Sequence, residues 1–363
     1  MKKETQSKSS CALKTSIGGQ ALMEGIMMRG PKKSAMAVRN PEGRIVIEEF
    51  ETKGAKRPAI CRWPVIRGIF GYVDSMTVGY KCLMRSAEIA GLEDMVEEKP
   101  KKKKKNKAEA LETAEETVTA EPAAEKTESK KDEEEKIPAW MVTAIFVVSM
   151  IFGMALALFM FKWLPVQIFS WLTIPFPALQ DTGSTALNSL IKSVFEGVLK
   201  IALLVGYMAV ISLMKDIRRT FMFHGAEHKT IFCYEAGLEL TVENVRKQNR
   251  FHPRCGTSFL ILMLLVNIFI SFFIDPIALA ISGETLNTWA RSGVSLALLP
   301  LIVGLGYELI KFAGRHDGLF TRIISAPGVW LQHITVLEPT DDMIECAIAA
   351  VKEVIPEDDS DRW

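Results

Sequence analysis

The chain has 363 residues, with 44 Lys or Arg against 43 Asp or Glu and a formal charge of +1. That balance argues against a nucleic-acid binder working by bulk charge. Mean hydropathy is +0.16 although 24% of residues are charged, so the two kinds are segregated along the chain, as in a polytopic membrane protein rather than a soluble globule.

Residues 1–16 are polar, with no apolar run behind their lysines, and predict no signal peptide. Residues 15–91 read as a cytosolic region. Gly18-Gly19-Gln20 and Arg29-Gly30-Pro31 suggest turns around a short apolar piece. Ser34–Arg39 and Arg44–Phe50 flank Asn40-Pro41-Glu42-Gly43, a turn between strand-like runs that predicts a β-hairpin. From Pro64 to Ala87, Ile66, Ile69, Val73, Met76, Tyr80 and Leu83 recur at helical spacing. Such a helix either packs on the hairpin or lies in the membrane interface.

Residues 92–137 form a charged insert that is too poor in apolar residues to fold. Its run Lys101–Lys105 can attract anionic headgroups, although a soluble tether is the simpler reading. Residues 138–314 read as the membrane domain. A bilayer core of about 30 Å needs about 20 helical residues. Four stretches qualify: Trp140–Trp163, Val194–Met214, Gly256–Ile274 and Gly293–Ala313. The third is expected to stop at Asp275-Pro276.

The connecting segment 215–257 carries eight bases. The segments facing the other side offer Lys192 and Arg291, with Lys162 at a span boundary. Positive-inside counting therefore puts that segment and both termini in the cytosol of a bacterial plasma membrane. All six cysteines then face a reducing compartment, which favours thiols or metal ligands over disulfides. In the C-terminal element, residues 315–356, Trp330–Leu337 looks strand-like. Thr340 caps a helix with Met343, Ile344, Ala347, Ile348 and Val351 on one face.

The chemistry concentrates in segment 215–257. His224-Gly225-Ala226-Glu227-His228 is an H-x-x-E-H motif; on a helix its imidazoles share one face, one turn apart, where both can ligate one ion. Glu227 is close enough to orient water or act as a base. His252-Pro253-Arg254-Cys255 is a tight turn offering two more ligands, and thiolate plus imidazole favours Zn²⁺. Three readings stand: a catalytic zinc, a structural zinc, and no metal. Glu308, inside the fourth span, needs a partner. It supports a liganding imidazole or pairs with an arginine such as Arg218 or Arg315, in preference to direct ligation. No P-loop, G-x-G-x-x-G or G-x-S-x-G is present, and Gly18-Gly19-Gln20 is too short to carry weight.

The opening motifs, Gly18-Gly19-Gln20-Ala21, Glu24-Gly25 and Met27-Met28-Arg29-Gly30-Pro31, resemble the YqhQ-like bacterial family of unknown function. The resemblance continues through His224–His228, His252–Gly256, Tyr307-Glu308, Ala326–Gln332, Glu338-Pro339 and Met343-Ile344-Glu345. It implies a polytopic inner-membrane protein with metal-dependent enzymatic activity.

The expectation is an α-helical membrane protein of about four spans with a small cytosolic α+β portion. Its leading function is zinc-dependent hydrolysis at the inner interface. His224 and His228 with His252 or Cys255 hold the metal, and Glu227 activates water. The substrate is lipid-linked or a membrane-protein segment. The competing expectation is a scaffold or membrane-protein biogenesis factor with a structural metal, recruiting a protein partner through residues 15–91.

Overall fold

A computed structural model describes residues 14–52, 58–91, 139–179, 181–284, 286–316, 318–358 and 360–362. The charged insert 92–137 and its lysine run lie outside the described residues.

Strands β1 (Gly18–Leu22), β2 (Gly25–Arg29), β3 (Lys33–Arg39) and β4 (Ile45–Glu51) form an antiparallel meander in chain order. The expected hairpin is β3–β4, with Ala37 opposite Ile47 and Val38 opposite Val46. Its turn uses Gly43 at φ +81°, and the side chain of Asn40 accepts the Arg44 N–H at 2.8 Å. Gly18-Gly19-Gln20 is not a turn but lies in β1. The bend falls at Met23-Glu24, where Glu24 takes a left-handed φ of +53°, uncommon for a residue with a side chain. Arg219 grips the Glu24 carboxylate, with Nη2 2.6 Å from Oε2, and holds that bend in place.

The two-residue period of the strands gives the sheet two apolar faces. Ile26, Met28, Ala35 and Ala37 pack against Phe223 and Ala226 of α5 (Lys215–Glu235). The same cluster takes in Met343, Ile344, Ala347 and Val351 of α11 (Asp341–Val354), the face expected for that helix. On the other side, Leu22, Met27, Met36 and Val38 meet Cys82 of α1 (Ile66–Ile89). Each fully buried side chain of this size contributes about 1.5–3 kcal/mol.

Helix α1 divides its length. Its C-terminal half lies on the sheet, burying Cys82, Ser86 and Ala87. Its N-terminal half crosses α9 (Leu299–Arg315), where a Cβ at Gly68 would strike the Tyr307 side chain. The stripe Val73, Met76 and Tyr80 does not pack on the hairpin, the first of the two expected placements; each of the three is more than half exposed.

The chain divides into two units, and in the unit of residues 97–155 the described residues belong to helix α2 (Ala139–Leu158). The remainder of the chain forms the other. The helical path does not stop at Trp163. It passes through a π-helical turn, Phe159–Trp163, into α3 (Leu164–Thr173). Helix α4 (Thr185–Ile211) starts nine residues before the expected Val194. Helix α7 (Gly256–Ser282) runs through Asp275-Pro276 and ends at Gly283, φ +74°. Pro276 cannot donate to the Phe272 carbonyl one turn back, and the Ser189 hydroxyl of α4 donates to that oxygen at 3.2 Å instead.

The last stretch is two helices, α8 (Thr288–Ala297) and α9, bent by 49°. Three helices are therefore long and apolar enough to cross a membrane, and up to four if the bent pair is one span. Lys162, Lys192 and Arg291, taken from the sequence as boundary and loop charges, lie within helical segments and line one small cavity.

Trp330–Leu337 is not a strand; α10 runs from Leu319 to Thr335. Its β-branched end suggested extension, but the buried Gln332 and the close crossing of Gly328 over Ser258 hold it helical.

Candidate metal centre

Segment 215–257 is not a loop around the site: most of it is α5 and the short α6 (Val242–Arg246). Helical spacing therefore puts His224 and His228 on one face, ring centroids 4.5 Å apart. Gly225 between them allows residues 336–339 to cross over α5, since a Cβ there would run into the Leu337 carbonyl oxygen.

Cys255 arrives from the other side as the N-cap of α7, where its sulfur accepts the Thr257 N–H at 3.4 Å. His224, His228 and Cys255 each offer a ligand atom, and the three atoms lie within 4.8 Å of one another. His224 Nε2 is 3.0 Å from Cys255 Sγ. Tetrahedral zinc with bonds of about 2.0–2.3 Å spaces its ligands by roughly 3.3–3.8 Å, so the three need only small shifts to share one ion.

The orientation of the imidazoles is compatible with that. His224 Nδ1 faces the Thr335 carbonyl oxygen at 3.0 Å, and His228 Nδ1 faces that of Arg250 at 2.5 Å. A carbonyl only accepts, so each Nδ1 is the protonated nitrogen and each Nε2 is the one turned to the centre. His228 Nε2 is buried and, among the described residues, makes no hydrogen bond of ordinary geometry, its one near partner being the Cys255 sulfur. A buried nitrogen left unpaired costs about 1–3 kcal/mol; a cation shared with His224 and Cys255 removes that cost. The donor set fits zinc.

Without a cation the same three groups polarise one another. Burial pushes the His224 imidazole down, but the adjacent Cys255 sulfur outweighs it and lifts the ring to about 9. Burial pushes the Cys255 thiol up, and the two histidines reverse this, holding it well below the ordinary thiol range. Cys255 is thus a thiolate, the state that binds metal, while the His224 imidazolium has to release its Nε2 proton to an incoming cation.

Glu227 is 5% exposed, and its Oε1 accepts the Gly19 N–H of β1 at 3.0 Å. Burial, and secondarily the Cys255 charge, raises its carboxyl above the usual range against the pull of His224 and His228. A Cβ on Gly19 would press on the Met27 carbonyl and on Glu227 itself, so β1 can approach the carboxylate only at a glycine. Glu227, His228, Cys255, Gly19 and Arg254 line one open cavity of about 500 Å³, within the size range of ligand pockets, about 300–1,000 Å³.

His252 is not in the three-residue set, although its ring centroid is 5.5 Å from that of His228. Its Nδ1 accepts the Arg254 N–H at 3.3 Å and its Nε2 faces Glu235 at 3.7 Å. Burial, with the neighbouring His228 and Arg254, lowers this imidazole to about 4 despite Glu235. Glu308 reaches neither the imidazoles nor Arg218 or Arg315. Arg67 of α1 grips it, with Nε 2.7 Å from Oε1, and the Val65 N–H adds a bond at 3.2 Å. It fastens α1 to α9.

Three supporting groups escaped sequence reasoning. Gln332 of α10 brackets His252, accepting its N–H at 2.8 Å and donating to its carbonyl at 2.7 Å. Gly19 reaches Glu227 across 208 positions of sequence. Glu235 joins Arg254, His252 and the Thr15 N–H. Gln332 and Gly19 stand inside short motifs visible in the sequence, but nothing there tied them to the histidines.

A family profile described as "Protein of unknown function (DUF1385)" matches residues 63–357. "Uncharacterized protein YqhQ" of Bacillus subtilis (strain 168) is 31% identical over 342 residues, 93% of this chain and 92% of that protein. No solved structure matches significantly.

Proposed function

The chain belongs to the DUF1385 family, and from its site we propose a metal-dependent hydrolase of the bacterial inner membrane, with zinc held by His224, His228 and Cys255. The observation that carries this reading is the convergence of two imidazoles and a thiol on one point, where His228 Nε2 makes no hydrogen bond of ordinary geometry among the described residues. Three protein ligands beside a cavity are the pattern of catalytic zinc, whereas structural sites close all four positions with protein. When bound, the metal supplies Lewis acidity, lowering the pKa of water or polarising a carbonyl or phosphoryl oxygen.

The chain's own groups do the rest. Glu227, with its raised pKa and one oxygen fixed by Gly19, takes and returns the proton in the cavity. Gln332 fixes the backbone of the turn that presents Cys255. Arg254 pairs with Glu235 and lines the cavity wall. The site lies between the end of α4 and the start of α7. The eight bases of segment 215–257 favour the cytosolic side, so a lipid-linked molecule or membrane-protein segment would approach from the inner interface. The exposed stripe of α1, with Trp63 60% exposed beside it, suits the headgroup region or a protein partner.

The competing reading is a scaffold in which the metal clips α5 to α7; a thiolate ligand at a helix cap is compatible with it. Metal content and thermal stability of the purified wild type, Glu227→Gln and Cys255→Ser separate the two. The hydrolase reading expects Glu227→Gln to keep metal and fold but fail to complement a deletion strain. If Glu227→Gln complements fully while Cys255→Ser loses both metal and fold, the site is structural. Wild-type protein prepared without chelator and free of metal overturns both.

A further inference from the structure

The end of α4 and α7 remote from the histidines holds a second polar centre. Asp275 is 20 residues beyond Cys255, about 30 Å along a helix. Arg291 of α8 pairs with Glu196 at 3.0 Å and Asp275 at 3.3 Å, and donates to Ser193 at 3.1 Å. Lys200 pairs with Glu196 at 3.3 Å. Glu196, Lys200, Asp275 and Arg291 are each at most 8% exposed. Lys162 and Lys192 line the same small cavity as Glu196, Lys200 and Arg291, and no hydrogen bond or ion pair joins either to a described residue. Four cations thus face two carboxylates, inside segments apolar enough to lie in a bilayer. The four basic side chains outnumber the two carboxylates by two, and such an excess between apolar segments favours a bound anion.

A groove of about 320 Å³ adjoins this centre and shares Lys162, Lys200 and Ser295 with it. From the lysines it continues along Asn267, Leu264, Met263 and Leu260, one face of α7, towards the Cys255 end. Apart from the lysines, Asn267 and Ser295 its lining is hydrocarbon. A cationic head beside an apolar trough is the complement of an amphiphile with one anionic headgroup and a long chain.

We propose that Lys162 and Lys200, at the head of the groove, bind the phosphate of an anionic membrane lipid whose acyl chain lies in the groove along α7, with Lys192 and Arg291 adding positive charge from the adjoining small cavity. This site is separate from the zinc centre and does not depend on it.

The test uses full-length protein in an uncharged detergent. Dioleoyl phosphatidylglycerol, dioleoyl phosphatidylcholine and inorganic phosphate are titrated separately and followed by native mass spectrometry. The wild type should retain phosphatidylglycerol in preference to phosphatidylcholine. Lys162→Gln with Lys192→Gln, which breaks no ion pair among the described residues, should weaken phosphatidylglycerol about thirtyfold. Leu296→Trp, at a groove position 63% exposed, keeps every charge and should weaken phosphatidylglycerol without touching inorganic phosphate. Equal retention of both lipids by the wild type would overturn the proposal. So would inorganic phosphate competing with phosphatidylglycerol while Leu296→Trp is silent, which identifies a soluble anion. Lysine variants that change only the melting temperature would reduce the centre to a structural ion network.

Discussion

Gly225 and Glu235 show how single residues shape the site without touching it. Gly225→Ala would press a methyl onto the Leu337 carbonyl, whose own N–H is fixed to Phe221 at 2.9 Å, so neither side can yield cheaply. We expect about 1–3 kcal/mol of destabilisation in thermal melts, and weaker metal retention because the Thr335 carbonyl lies two residues upstream of the clash. Glu235 is opposed by burial, but the bond from His252 and the charge of Arg254 hold its carboxyl at about 2. Its folded pKa is below the unfolded value of about 4.5, so its stabilisation is complete above pH 4.5 and lost as pH falls from there towards 2. The stability gap between wild type and Glu235→Gln, on the order of 2–3 kcal/mol at neutral pH, should close over that window in melts at stepped pH; a gap that persists at pH 2.5 would refute the linkage. The sequence exposed the candidates His224, His228 and Cys255 because helical spacing and a tight turn are local properties. It could not separate His252 from them, because Glu235, which turns that ring away, is a distant partner.

At the level of elements, local pattern was a good guide where packing agreed with it and a poor one where tertiary bonds intervened. The β3–β4 hairpin and the amphipathic α11 follow from turn chemistry and period alone. The extension of α7 past Pro276 does not, because the carbonyl freed by the proline is satisfied from α4. That bond makes a clean cycle. Ser189→Ala should cost about 1–3 kcal/mol by orphaning the Phe272 oxygen. In the Pro276→Ala background, where the helix supplies its own N–H, most of that cost should vanish. Equal costs in both backgrounds, measured by unfolding in mild detergent, would mean that Ser189 acts only through Asp275, 3.4 Å away. Trp330–Leu337 failed in the opposite sense: β-branched residues suggested a strand, and the buried amide of Gln332 shows what holds the helix.

For the whole molecule, the informative joins are long. The sheet of residues 18–51 is closed by α5 and α11, some two and three hundred positions later. No periodicity reports such a meeting. Charge counting along the chain does bear on sidedness. Reporter fusions after Thr182 and after Asn244 should score on opposite sides of the membrane, with the second cytosolic; two cytosolic scores would overturn the proposed topology. The two imidazoles of the centre are steered by peptide oxygens at residues 250 and 335. Side-chain replacement cannot delete an oxygen of the main chain. A scan that trims Arg250 and Thr335 to alanine will therefore leave those two ring-steering bonds in place, while an insertion or a proline that reroutes either stretch would unseat the rings without altering an atom of His224, His228 or Cys255.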